Sequence, residues 1–368
     1  MDHNDGSSGD GAIVFAEKLL SLLDTGRYTA TYKFATLTAL IDVCTESVDE
    51  AGRTPTSLSA KAVGRKVLEL LWPHSRPYRA GENGWIYLRH STQPNDLVEH
   101  TSSVRRSLGL VNAGATLDQA RHDHASAIDA LERRVVTTGI RMPLPKLQRF
   151  GAGAVAEDRF IYDYGWPDEV PASRIWAADF DDSLLLQPGV GAWLVRLGAV
   201  LRPIVQQRWA AFVADRSRDV IESALLDEFL FGVSRVGLQR VRGPLLAIQD
   251  GRCFYCGEPS PISSTEVDHF IPWVRHPDNG LDNLVAAHRR CNNSKRHALA
   301  AANHLARWLR REGLDELRPS WPSDRDRTIG AARATYLWLP KRARLWQSVN
   351  DFTMADPVEL RSVFARTS

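Results

Sequence analysis

The chain holds 368 residues, 43% hydrophobic and 24% charged, with a formal net charge of +2. This balance excludes disorder as the main state and a chain that is basic throughout, and it supplies enough apolar residues for a sizeable core. At roughly 100–200 residues per domain, the length predicts two or three domains.

The first ten residues, MDHNDGSSGD, are polar and acidic with no apolar stretch behind them. They read as a disordered tail and not as a secretory signal, so the protein is expected to remain in the cytoplasm. Val14, Phe15, Leu19, Leu22 and Leu23 recur at helical spacing over 12–23. Phe34, Leu37, Ile41 and Cys44 share one face of a second predicted helix, 29–44; Cys44 is then an apolar core residue. A third helix over 59–71 turns Val63, Val67, Leu70 and Leu71 inward and is expected to stop at Trp72-Pro73. GWIYLRH (84–90) is strand-like. Helices followed by a strand suit either a winged-helix DNA reader or a small helical scaffold.

Residues 117–134 read as helix, the stretch through PLPKLQRFGAG lacks periodicity, and RFIYDYGW (159–166) and RIWAADF (174–180) are strand-like. Helices are predicted over 190–215 and 220–233, and the acids Glu222, Asp227 and Glu228 of the second read as a solvated face. The most apolar stretch, 189–205, is interrupted by Arg196 and Arg202 and falls short of a membrane span.

Charge is unevenly spread. From Asn283 to Gln347 there are fourteen Lys+Arg against five Asp+Glu, a surplus of +9, which leaves −7 for the rest. One region could face a polyanion while the remainder would not. Arg outnumbers Lys by 39 to 7, which reflects genome composition more simply than nucleic-acid binding.

Chemistry concentrates in GRCFYCGEPSPISSTEVDHFIPWVRHPDNGLDNLVAAHRRCNNSKR (251–296). Cys253-x-x-Cys256 and His288-x-x-Cys291 are separated by 31 residues. A two-residue gap lets a tight turn aim both side chains at one ion, so the pairs predict a closed Cys3His structural zinc site whose stability comes largely from the metal. Between them, a strand ending at Asp268-His269, a second strand over 281–285 and a helix starting at Asn292 and running toward Leu309 make a ββα unit. That unit is expected to bring one carboxylate, one imidazole and one amide to the same solvent-open face.

The combination of CxxC, DHxxP, Asn, then HxxCN and Lys resembles the HNH endonuclease family of the zinc-knuckle, ββα-metal kind. The name-giving residues fall as His269, Asn283 and Asn292, in the pattern DH–x13–N–x8–N. The resemblance covers about 50 residues. It implies hydrolysis of DNA phosphodiesters, DNA ahead of RNA as partner, and a link to restriction or phage defence. By the same resemblance Asp268 and Asn292 would hold a catalytic divalent cation, His269 would be the general base, and Asn283 would fix the loop and help orient His269. An Asn at position 292, where other members have a final His, favours a hard cation, Mg2+ or Mn2+. His288 departs from the Cys more common at its place, and zinc accepts imidazole equally. Arg289, Arg290 and Lys295 lie next to these residues and are candidates for contacts to flanking phosphates.

The fold class expected is mainly α with small β elements (α+β), the ββα-metal unit and its Cys3His knuckle embedded between helical regions. The predicted divisions are a tail (1–10), a mainly helical N-terminal domain (11–135), an α+β middle region (136–240), the HNH nuclease domain (241–305) and a basic helical C-terminal region (306–368). In the last, Trp and Leu are read as core and the interleaved arginines as able to track a nucleic-acid backbone. Two readings compete with a nuclease: a zinc-knuckle nucleic-acid-binding module without catalysis, and a structural zinc domain for protein contacts.

Overall fold

A computed structural model describes residues 5–25, 28–80, 84–94, 96–112, 114–149, 158–167, 169–217, 226–232, 235–321, 323–340 and 342–366. Its chain divides into two compact units, Met1–Cys44 with Pro55–Gly232, and Thr45–Thr54 with Val233–Ser368.

The first unit is mainly helical. Helix α1 (Asp5–Thr25) buries Phe15, Leu19, Leu22 and Leu23, the apolar stripe read from the sequence. It begins inside the stretch expected to be a tail. Helix α2 (Tyr32–Glu46) is buried from Phe34 to Cys44. Strand β1 (Ser57–Ser59) leads into α3 (Ala60–His74), where the Ser59 hydroxyl accepts from the Ala62 N–H and caps the helix. Contrary to expectation, α3 does not stop at Trp72-Pro73. The proline removes one ladder bond in the last turn, and burial of Trp72 and His74 outweighs that loss.

A short hairpin follows, β2 (Tyr78–Arg79) and β3 (Trp85–Ile86), then α4 (Leu97–Ser107), α5 (Leu117–Asp123) and α6 (Ala125–Arg141). The single helix expected over 117–134 is thus two, parted at His124. Gly64 permits close packing of α3 on α6: a Cβ there would lie 2.9 Å from Val136 Cα. After α7 (Pro143–Lys146) come β4 (Tyr162–Tyr164), α8 (Ala172–Ile175), β5 (Ser183–Leu186), α9 (Val190–Arg216) and α10 (Leu226–Phe231). The strand expected over 174–180 is replaced by α8 and a turn; the strand lies later, where Leu184 can be buried. Glu222 lies outside the described residues.

Strands β1, β5 and β4 form one antiparallel sheet, with Leu58 opposite Leu184 and Tyr164 opposite Leu184 from the other side. This sheet, together with α6 running through residues 135 and 136, ties the predicted N-terminal and middle domains into one unit. Among the described residues β1 joins β5 and not the β2–β3 hairpin.

The second unit opens with α11 (Arg235–Ile248) and continues with β6 (Thr265–His269), β7 (Leu284–His288) and α12 (Arg289–Lys295). It then runs through α13 (Ala302–Leu309), α14 (Arg325–Leu337), the hairpin β8 (Arg344–Ser348) and β9 (Asp351–Met354), and α15 (Pro357–Ala365). Two corrections bear on the site. The second strand lies three residues later than predicted, because 281–283 form a helical turn that buries Asn283. The helix from Asn292 does not reach Leu309. It stops at Lys295, Arg296 turns into the left-handed region (φ 50°), and the backbone around Ala300 pairs with Trp346 (Trp346 N–H to Leu299 O, 2.7 Å; Ala301 N–H to Trp346 O, 2.8 Å). The predicted domain at 241–305 and the region after it therefore share one core, in which Phe270 stacks on Trp308 at 4.7 Å between ring centres. Among the described residues no helix is long and apolar enough to cross a membrane.

Candidate metal centre and active site

The hairpin β6–β7 brings its two ends to the turn after α11, and that turn carries Cys253 and Cys256. Gly257 takes a positive φ (72°), and its N–H closes the turn on Cys253 O at 2.9 Å. The ligand atoms of Cys253, Cys256, His288 and Cys291 all lie within 4.8 Å of one another. His288 Nδ1 stands 3.3 Å from Cys256 Sγ, and its other nitrogen contacts Pro259 O at 3.0 Å. A carbonyl oxygen only accepts, so Nε2 carries the proton and Nδ1 keeps its lone pair toward the sulfurs, the arrangement a metal-bound histidine requires. The His288 backbone N–H points at Cys253 Sγ at 3.2 Å. The Cys253 thiol is held well below its ordinary value, first by the hydrogen bond from Cys291 and then by backbone N–H groups, while its neighbour Cys291 is pushed up. Three cysteine sulfurs, with the thiolate already favoured at Cys253, and one imidazole with its Nδ1 lone pair free fit zinc.

Behind this clamp, β6 presents alternate residues to opposite faces. Glu266 and Asp268 face α12. Asp268 Oδ2 accepts from the Tyr255 hydroxyl at 2.6 Å and pairs with Lys295 Nζ at 3.0 Å. Glu266 takes Arg289 Nε at 2.9 Å on one carboxylate oxygen and Asn292 Nδ2 at 2.8 Å on the other. His269 leaves the opposite face. Its Nε2 meets Asn279 Oδ1 at 2.9 Å and its ring packs edge-on to Trp273. The expectation of carboxylate and imidazole on one face is therefore not met, since neighbours in a strand point apart. Lys295 links them instead, because Nζ also donates to His269 O at 2.9 Å. Asp268 and His269 are only 7% and 8% exposed, so the expected openness to solvent is absent as well. Burial pushes the His269 imidazole below its ordinary value, against the Asn279 hydrogen bond and the charges of Asp268 and Asp278, which raise it.

Asn283 is buried, and its amide spans the loop after β6. It accepts from the Ile271 N–H at 2.8 Å and donates to Ile271 O at 3.1 Å and Asp278 O at 3.3 Å. Asn279, which motif spacing does not single out, is the residue on the His269 ring. The one signal for it is a second Asn four residues before Asn283 in the same loop. Gln249, equally unmarked in the sequence, clamps the edge of β7 through both amide atoms (to Ala286 O, 2.8 Å; from Ala286 N, 2.9 Å).

Residues 253–298 match the sequence profile of the family described as HNH endonuclease. The segment is an HNH domain. Over 48 residues the chain is also 44% identical to the CRISPR-associated endonuclease Cas9 of Corynebacterium diphtheriae, a stretch that covers 13% of this chain and 4% of that protein. The HNH domain holds every residue of the DH–x13–N–x8–N pattern within β6, the buried turn and α12.

The basic residues of the HNH domain and its neighbours divide by burial. Lys295 is not available to a flanking phosphate: its side chain is 0% exposed and committed to Asp268 and His269 O. Arg289 is exposed but paired with Glu266. Arg290 is exposed, and Cys256, with Cys291, pushes its guanidinium up from its ordinary value. Several C-terminal arginines expected to track a backbone brace the domain instead. Arg307 donates to Phe254 O and Tyr255 O, Arg311 to Leu284 O and Asp282 O, and Arg318 grips both carboxylate oxygens of Asp282 (3.0 and 2.9 Å).

HNH nucleases use a divalent metal, and two oxygen donors near the motif are of a chemistry that could hold one. Asp268 offers a carboxylate, and Asn292 Oδ1 takes no hydrogen bond from a described residue while its Nδ2 is held by Glu266.

Proposed function

We propose that the chain is a divalent-metal-dependent DNA endonuclease in which His269 is the general base. The observation that carries this reading is the His269 ring itself. Asn279 Oδ1 can only accept, so Nε2 bears the proton and Nδ1 is left as the basic nitrogen. Burial favours the neutral form that a base needs at neutral pH. Asn283 holds the Ile271–Asp278 loop so that Asn279 stays on the ring.

Asp268 and Asn292 would hold the cation, which when bound polarises the scissile phosphate and neutralises the charge that builds on it. Lys295 offsets the Asp268 charge in its absence. Zinc at Cys253, Cys256, His288 and Cys291 would fix the two ends of the hairpin. A role in restriction or phage defence rests on the family resemblance alone.

A second reading has its own observation: Asp268 and His269 are both buried, and Asp268 is already paired with an ammonium. This favours a nucleic-acid-binding module that does not cut. Plasmid DNA incubated with Mg2+ or Mn2+, compared with metal-free buffer and with His269→Ala, separates the two. The nuclease reading expects metal-dependent nicking or linearisation that His269→Ala lowers by about 100-fold or more. DNA binding without cleavage under either metal sinks it, and cleavage undiminished in His269→Ala removes His269 from the role of base.

A further inference from the structure

The first unit carries an aromatic surface that the nuclease chemistry does not use. Along the segment from Trp85 to His90, side chains alternate cleanly: Ile86, Leu88 and His90 turn inward, while Trp85, Tyr87 and Arg89 are exposed. Trp85 is 69% and Tyr87 38% exposed. Tryptophan is a costly residue to leave in water, and one at the tip of a hairpin contributes nothing to the core. Three arginines flank these rings. Arg79 stands directly across the hairpin from Trp85. The Arg106 guanidinium lies over the Tyr87 ring at 5.1 Å and donates to Ser103. Among the described residues no carboxylate pairs with Arg79, Arg89 or Arg106; Glu82, in the turn of the hairpin, lies outside them.

We infer that this face binds single-stranded nucleic acid, with unpaired bases stacking on Trp85 and Tyr87 and phosphates meeting Arg79, Arg89 and Arg106. Exposed rings on a strand offer π-faces to bases of any sequence, and unpaired arginines track the backbone. A duplex keeps its base faces covered and offers these rings little. The choice of nucleic acid as partner rests on the proposed nuclease function. The surface would hold a strand by backbone and stacking, without reading sequence.

The test uses the full chain carrying His269→Ala, so that bound strand is not cut, and the fluorescence anisotropy of a labelled oligonucleotide, single-stranded and as a duplex. The expected result is tighter binding of the single strand. Trp85→Ala and Tyr87→Ala should each weaken it by about tenfold, and Arg89→Gln should flatten its salt dependence. Circular dichroism should be unchanged throughout, since these side chains are exposed. Aromatic variants that bind like the parent overturn the inference, as does tighter binding of the duplex. The outcome is separable from cleavage. If the His269-intact chain cuts plasmid while these variants bind normally, the surface proposal falls alone. If the strand binds here and no divalent metal supports cutting, the nuclease reading falls alone.

Discussion

Lys295 Nζ lies 3.0 Å from Asp268 Oδ2, with the lysine side chain sealed from solvent. Removing one member of a buried pair leaves an uncompensated charge and costs about 3–5 kcal/mol. Lys295→Met is therefore expected to lower the urea midpoint of the second unit by that equivalent. Because Asp268 would then stand uncompensated, added Mn2+ should raise the melting temperature of Lys295→Met more than that of the parent. Equal metal shifts in both proteins would remove Asp268 from the cation site.

His288 is the least orthodox member of the thiol cluster, and elemental analysis decides its role. The parent should carry one zinc per chain. His288→Ala, with three ligands left, should lose most of it and melt at lower temperature, while His288→Cys should retain it. Full zinc content in His288→Ala would show that the Pro259 contact, and not a metal, holds this ring.

Close approach makes Gly330 sensitive. A Cβ at this position of α14 would overlap the backbone carbonyl of Glu46, an atom that cannot swing aside. Gly330→Ala should destabilise the second unit by about 1–3 kcal/mol, read as a lower urea midpoint with an unchanged slope. A neutral substitution would mean that the 45–54 segment is not seated on α14.

In the first unit, His74 and His90 lie buried with ring centres 5.4 Å apart. Burial pushes both down, His90 to about 3, and the charge of a protonated His90 lowers His74 further. The unfolded chain therefore takes up protons first. Stability from these groups is complete above the ordinary imidazole value near 6.5 and falls as pH drops below it, by about 1.4 kcal/mol per pH unit per histidine. Urea midpoints at pH 7 and pH 5 should differ less in His90→Gln than in the parent. An identical pH dependence would refute the role of this pair.

The spacing of Cys253, Cys256, His288 and Cys291, and of Asp268, His269, Asn283 and Asn292, is legible along the chain itself, because metal knuckles and strand–turn–helix units are short-range objects whose ligands sit at fixed intervals. So are the apolar stripes of α1 and α2, since burial imposes a helical period on local sequence. What the sequence could not settle is decided by partners far away. Lys295 has the spacing of a surface charge, yet Asp268, from another element, buries it. The helix after Asn292 has the composition to continue, yet Trp346, more than fifty residues on, claims the backbone beside Ala300. The C-terminal arginines have the pattern of free cations, yet the carbonyls of Phe254, Asp282 and Leu284 take Arg307 and Arg311. Local periodicity records which residues are buried, but the identity of a long-range hydrogen-bond partner leaves no mark on the spacing of either residue, and only the folded chain reveals it.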